Sequence, residues 1–252
     1  MSSMAISLSV FACVFGGALF GRFLSRVLPK SHLEDASRDV VKLTMGLLAT
    51  LTALVLGLLI ASAKSSFDAQ TADVTEMSAK VVLLDRVLAN YGPEAKEVRD
   101  LLRGVVALNL DRLWPQERST TSGPPVPARF GSEVLYQRIQ ALSPTNETQH
   151  SLQAQATSLA MSLGETRWLM YAQAANSVSK PMLAILVFWL TMIFISFGLS
   201  APRNLTVTSA LLVCALSVSG AIFLILELYA PYGGLIAVSS APLRNALMQL
   251  GQ

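Results

Sequence analysis

The sequence predicts an all-α integral membrane protein with four transmembrane helices and a helical extramembrane segment between spans two and three. Composition is the first reason. Of 252 residues, 52% are hydrophobic and only 14% are charged, where soluble domains average about 25% charged. Mean hydropathy is +0.51. Charge segregation is the second reason. Five of the 19 basic and three of the 16 acidic residues lie in 22–42, and twelve of each lie in 64–180. The rest are Arg203, Arg244 and Glu227. Four long stretches are left almost without charge. That pattern excludes a soluble enzyme, a disordered chain and a secreted disulfide scaffold.

Residues 4–21 carry no charge, and the apolar run continues to Leu28. At about 1.5 Å per residue this crosses a hydrocarbon core of roughly 30 Å. A signal peptide places its positive charge before the apolar run. Here Arg22, Arg26 and Lys30 follow it, so residues 1–30 read as a retained first membrane helix. Pro29 interrupts, and Ser31 with Glu34 matches a capping box. The second span is Leu43–Ala63. Beyond it, Phe67, Val74, Val81 and Leu88 recur every seven residues, with Met77, Leu84 and Tyr91 at the offset position. This is an a/d seam, and no glycine or proline interrupts 58–91. One long helix is therefore expected over 31–91, leaving the bilayer near Lys64 and stopped by Gly92-Pro93.

Residues 92–180 read as an extramembrane helical segment. Pro93 opens a helix over 94–114 whose apolar face is Val98, Leu101, Leu102, Val105, Leu108 and Leu113. Residues 115–131 hold four prolines and two glycines, a loop composition. Ser132 caps a short helix to Leu142, and Ser143-Pro144 breaks it. A long helix over 146–179 turns Leu152, Leu159 and Leu163 inward. Residues 181–230 form a membrane hairpin. Pro181 opens span three (181–199), Ser200–Asn204 connects, and span four runs from Leu205 to Ala230. In 231–252, Pro231-Tyr232-Gly233-Gly234 turns the chain. Ser240 then caps a short interfacial helix over 241–250 with Leu243, Leu247 and Leu250 on one side.

Four spans put both termini and 64–180 on one side of the membrane, with 22–42 and Arg203 on the other. The density of Arg22, Arg26, Lys30, Arg38 and Lys42 makes the first loop cytoplasmic by the positive-inside rule. The central helices are then expected outside the cytoplasm.

Several residues are candidates for function. Ala5, Ser9, Cys13, Gly17, Gly21 and Ser25 place a small residue at every fourth position of span one. Ala49, Ala53, Gly57, Ala61 and Ser65 do the same in span two. Such stripes let helix backbones approach closely, within a subunit, between subunits or along a pore. Gly17, Gly21, Ala53, Gly57 and Ala61 are the candidate packing residues. Glu227 is the one acid deep in an apolar span, and an ionisable group there is costly. Lys64 closes span two on the same side. The two are expected to pair or to face a water-filled path, unless Glu227 snorkels to the interface. Ser62, Lys64, Ser65, Ser66 and Asp68 form a polar collar, an ion mouth or simply a solvated exit from the bilayer. The hydroxyls of span four (Thr206, Thr208, Ser209, Ser217, Ser219) line a path or bond back to their own helix. Trp168, Tyr171, Trp189 and Tyr229 are compatible with interface anchoring, with Trp189 the poorest fit at mid-span.

No catalytic, cofactor-binding or metal site is expected. The sequence lacks G-x-x-x-x-G-K, H-E-x-x-H and G-x-S-x-G. Cys13 and Cys214 sit in apolar stretches, His32 and His150 are far apart, and the net charge of +3 offers no nucleic-acid footprint.

Leu28-Pro29, His32-Leu33, Arg38–Leu43, Ala53–Leu58, Ala61–Asp68, Leu84-Asp85-Arg86, Tyr91-Gly92-Pro93, Gly234–Ile236 and Ser240–Leu243 together resemble the bestrophin-like family of bacterial membrane proteins, a domain-of-unknown-function family. The resemblance covers nearly the whole chain. It implies the four-span layout and a multi-pass protein of the bacterial cytoplasmic membrane. Bestrophins are pentameric chloride channels with an aromatic constriction in the second span and cytosolic central helices. Here span two has no aromatic residue before Phe67, so the anion-selective neck does not carry over, and the cytosolic placement opposes the charge count above.

The reading is thus a homo-oligomer in a lipid bilayer, with inorganic ions as cargo of a passive channel. Span two lies closest to the axis, Lys64 and Asp68 influence the mouth, and Glu227 acts as partner or gate. The alternative is a non-conducting scaffold or sensor acting through the 67–91 seam and the 146–179 helix.

Overall fold

The computed structural model describes residues 2–27, 35–115, 132–174, 179–202 and 204–251. Pro29, Lys30, the Ser31–Glu34 capping box, His32, the 116–131 part of the loop, residues 175–178 of the long helix, and Arg203 lie outside them. Among the described residues the regular elements are all helical. They are α1 (Ser3–Val27), α2 (Asp35–Tyr91), α3 (Lys96–Leu113), α4 (Ser132–Gln140), α5 (Glu147–Ala174), α6 (Lys180–Ser200), α7 (Leu205–Leu228) and α8 (Ala241–Gln249). Four of them, α1, α2, α6 and α7, are long and apolar enough to cross a membrane. The chain divides into two compact units, one of 1–65 with 177–229 and one of 66–176 with 230–252.

In the first unit the apolar faces of four helices meet in one core. Val10, Val14 and Ala18 of α1 pack with Leu59 and Ala63 of α2, Leu186, Leu190 and Phe194 of α6, and Ala215, Ile222 and Ile225 of α7. α1 and α6 come closest. At Gly21, an added Cβ would fall on the Ile195 carbonyl, and at Gly198 on the Ala18 carbonyl. At Gly17 it would sit 3.0 Å from Thr191 Cγ2. The two backbones therefore touch, and only glycine fits. Helices of this composition gain little from excluding water in lipid, so close van der Waals packing holds them. One polar bond crosses as well: the Ser219 hydroxyl of α7 donates to the Ser7 carbonyl of α1 at 2.6 Å. α7 starts where the Asn204 side chain accepts from the Val207 amide at 2.9 Å, an N-cap.

In the second unit the seam of α2 is the spine. Val74, Met77, Val81, Leu84, Leu88 and Tyr91 are buried, and Phe67 is half-buried beside them. Their partners are internal: Val98, Leu102, Val106 and Leu110 of α3, Leu135 and Ile139 of α4, Ala156, Ala160 and Leu163 of α5. The side of α8 read as facing the membrane interface, Leu243, Leu247 and Leu250, also packs in this core. α2 ends at Gly92, whose φ of +128° is a conformation that L side chains rarely adopt. A 3-10 turn at Pro93–Ala95 precedes α3, so the predicted helix over 94–114 starts one tight turn late.

Glutamine side chains close the helix ends. Gln149 donates to the Tyr91 carbonyl at 3.0 Å. Gln153 donates to the carbonyls of Ile139 and Leu142 at 2.9 and 2.8 Å. Asn146 caps α5 by accepting from the Gln149 amide at 2.8 Å. The Trp114 indole donates to the Val238 carbonyl at 2.8 Å, and its ring meets Tyr232 edge-on. Asp85, 4% exposed, accepts from Arg99 Nε at 2.8 Å and Nη2 at 2.9 Å. Those hydrogen bonds hold the Arg99 pKa above its usual value. The Gly251 amide also donates to Asp85, at 3.4 Å.

Three substitutions test these contacts by unfolding in detergent. Gly21→Ala should lose about 1–3 kcal/mol, because the new methyl meets backbone that cannot swing aside. Gly220→Ala, where the added Cβ has nothing within 4 Å, should be neutral or gain up to about 1 kcal/mol of helix propensity. Asp85→Ala should cost about 3 kcal/mol, since it strands a mostly buried guanidinium. A loss below about 1 kcal/mol would mean that water replaces the carboxylate freely.

Candidate functional site

Helices that cross a lipid bilayer face either lipid or protein, so the faces left bare by a single chain indicate where other partners belong. α2 is the barest of the four apolar helices. Its most apolar window is 11% buried, against 28% for the corresponding windows of α1, α6 and α7. The residues that α2 does bury near its own unit's core are Thr52, Leu59 and Ala63. The Thr52 hydroxyl donates its proton to the Leu48 carbonyl at 2.7 Å.

The opposite face carries the small residues. Ala53, Gly57 and Ala61 are exposed, and a Cβ on Gly57 would meet nothing within 4 Å. At about 100° per residue, 53, 57, 61 and 64 fall within roughly 80° of arc. Lys64 is therefore on the same face as the small residues and is exposed. Asp68 follows one turn later on α2 and is exposed too.

The stripe of span one divides. Gly17 and Gly21 are buried against α6, whereas Ala5, Ser9 and Cys13 remain exposed. The cause is geometric: a four-residue spacing outruns the 3.6-residue turn by about 40° per step, so the stripe winds off the contact face.

Glu227 lies in the last turn of α7 and is 6% exposed. The α7 end and the exit of α2 are tied by a 3.1 Å contact between the Ser62 and Tyr229 hydroxyls. Lys64 and Glu227 are each two residues from that contact. Lys64, Asp68 and Glu227 all have interaction partners. The arrangement thus joins a buried carboxylate to the level at which α2 changes from apolar to polar.

The hydroxyls of α7 divide their bonds. Thr208 and Ser217 donate to the Asn204 and Val213 carbonyls four residues back, at 3.0 and 2.9 Å. Ser219 crosses to α1, as described above. Trp168 is 66% exposed, Trp189 and Tyr229 are half-buried, and the Tyr171 side chain lies outside the described residues. Cys13 and Cys214 are free and exposed. Among the described residues no group of three or more His, Cys, Asp or Glu is placed to hold a metal.

Three contacts had no readable signal in the sequence. Gly198 stands alone in its span, without small neighbours at four-residue spacing. Arg22 donates to Thr208, 186 positions away. Arg99 meets Asp85 fourteen positions away across a turn, although Asp85 is part of the Leu84-Asp85-Arg86 motif.

Comparison with known proteins agrees with this architecture. No curated protein sequence matches the chain. A crystal structure of a variant of a bacterial Bestrophin homolog from Klebsiella pneumoniae superimposes with a TM-score of 0.62 at 16% identity, covering 95% of this chain and 99% of that one. At that identity the likeness is one of fold. The Bestrophin-like domain matches residues 12–243, nearly the whole sequence, and the chain belongs to the Bestrophin-like family.

Proposed function

We propose that the protein is a homo-oligomeric passive ion channel of the bacterial cytoplasmic membrane, with the 53–57–61–64 face of α2 turned toward the oligomer axis. The observation that carries this reading is the bare small-residue face of α2. A helix crossing lipid faces lipid, protein or water, and within its own chain α2 buries only Thr52, Leu59 and Ala63 of its apolar span. Copies arranged around an axis supply protein, water or both. Alanine and glycine side chains leave room between such copies, and the backbone of a helix satisfies its own hydrogen bonds, so the resulting path is smooth and weakly selective. Charge selection then falls to the ends, where Lys64 and Asp68 stand at the mouth. Glu227 sets the local field there, as partner of the Lys64 level or as a gate.

The scaffold reading loses one of its two surfaces, because the 67–91 seam is filled by α3, α4 and α5 of the same unit. What remains to it is the outer face of α5, with Met161 and Trp168 exposed.

Ion flux in liposomes containing the purified protein tests the proposal. Wild type should exceed empty liposomes. Lys64→Ala should shift the anion-to-cation ratio by roughly two- to tenfold, because removing a charge at a mouth changes the local ion concentration. Glu227→Gln should change the rate or its regulation while leaving the oligomer intact. Absence of chloride, potassium and sodium flux from protein shown to be folded and oligomeric would transfer the assignment to the scaffold.

A further inference from the structure

At the other end of the first unit, the C-terminal turns of α1 and the start of α7 enclose a cleft of about 430 Å³. It is lined by Leu19, Arg22, Phe23, Arg26, Leu205 and Thr208, beside the capping residue Asn204. Two cations line it and no described carboxylate does. The first turn of α7 adds the positive end of its peptide dipoles.

Arg22 is held in a defined pose. Its Nη1 donates to Thr208 Oγ1, and that hydroxyl in turn donates to the Asn204 carbonyl at 3.0 Å. The other edge of the guanidinium, Nε and Nη2, is shielded from water and has no hydrogen-bond partner among the described residues. On Arg99 this same edge grips both oxygens of Asp85, at 2.8 and 2.9 Å. A desolvated charged donor without an acceptor is unfavourable. To meet a ligand in the cleft, this edge has to turn about the terminal torsions while Nη1 keeps its bond to Thr208.

We propose that this cleft binds a phosphate group, gripped side-on by the Nε–Nη2 edge of Arg22 and balanced by the charge of Arg26. A guanidinium edge matches two non-bridging oxygens of one phosphate, and the remaining lone pairs of those oxygens can accept from the second arginine. The walls are apolar and open: Leu19 is 46%, Phe23 59% and Leu205 82% exposed. They continue the apolar surfaces of α1 and α7, so acyl chains can lie along the helices while the headgroup sits in the cleft. A phosphodiester headgroup of an anionic lipid and free phosphate share the recognition chemistry.

The test uses the full chain in detergent, titrated with short-chain phosphatidylglycerol, short-chain phosphatidylcholine or inorganic phosphate, with the unfolding midpoint as readout. Phosphatidylglycerol should raise the midpoint more than phosphatidylcholine, whose quaternary amine offsets the phosphate charge. Arg22→Lys keeps the charge and removes the edge, so its apparent affinity should fall about tenfold. The double variant Arg22→Gln, Arg26→Gln should lose the response, and Lys42→Gln, an exposed cation outside the cleft, should keep it. A response to inorganic phosphate equal to that of the lipid assigns the cleft to the free ion, and a lipid-only response assigns it to the headgroup. Wild type unmoved by both probes overturns the proposal. So does an unchanged response in Arg22→Lys, which decides the matter if the double variant does not fold.

Discussion

The contact between the backbones of α1 and α6 is the constraint on which the first unit depends. Gly21 and Gly198 face each other's helices, and in both cases the opposing carbonyl occupies the space of a side chain. That approach brings Val10, Val14 and Ala18 within reach of Leu186, Leu190 and Phe194. Ala215, Ile222 and Ile225 of α7 join the same core. Without hydrophobic exclusion to drive association in lipid, packing quality is what distinguishes the native pairing from any other. A methyl group at either glycine therefore alters more than one contact.

The same constraint explains why α2 is left out. Once α1, α6 and α7 have satisfied one another, α2 contributes only one edge, through Leu59 and Ala63. Of the four apolar helices, α2 has the smallest buried share of its most apolar window. In the second unit the continuation of the same helix has the opposite fate: its seam is the centre of the core. One helix thus carries a bare stretch and a covered stretch, and the change falls near Lys64, where the composition changes from apolar to polar.

Much of this was legible in the sequence, because helix existence and helix ends are local properties. Charge-free runs gave the four apolar helices, the seven-residue repeat gave the long helix through Tyr91, and Gly92-Pro93 gave its end. The core faces of α3 and α5 were legible in part: Val98, Leu102, Val105 and Leu163 are buried as the periodicity predicts, but so are Val106, Leu110, Ala156 and Ala160, which it did not pick out, and Leu152 and Leu159 are only partly covered. Which small-residue stripe would be covered was not legible. Ala5–Ser25 and Ala49–Ser65 have the same spacing, yet Gly17 and Gly21 are buried while Gly57 is bare. The difference resides in the partner, and Gly198 has no periodic signature to announce it. The repeat was read as an a/d seam, but a repeat cannot say whether its partner belongs to the same chain. Pairings such as Arg22 with Thr208 depend on how distant helices meet, which no local pattern encodes.

The polar groups of the two units show how differently the chain manages them. In the second unit a buried carboxylate is matched by a guanidinium edge and a backbone amide, so Asp85 closes a network and fixes α2, α3 and the C-terminal Gly251 together. In the first unit most hydroxyls bond to backbone carbonyls, as Thr52, Thr191 and Ser217 do, which keeps them compatible with lipid. Glu227 and Arg22 depart from that economy, at opposite ends of α7. Both are ionisable groups drawn at least partly out of water beside apolar helices, a placement that packing alone does not favour. Glu227 takes no part in the α1–α6 contact that organises the unit, and Arg22 enters it only through its backbone, beside Gly198. That is why the proposals above give these two residues to recognition at the ends of the helix bundle.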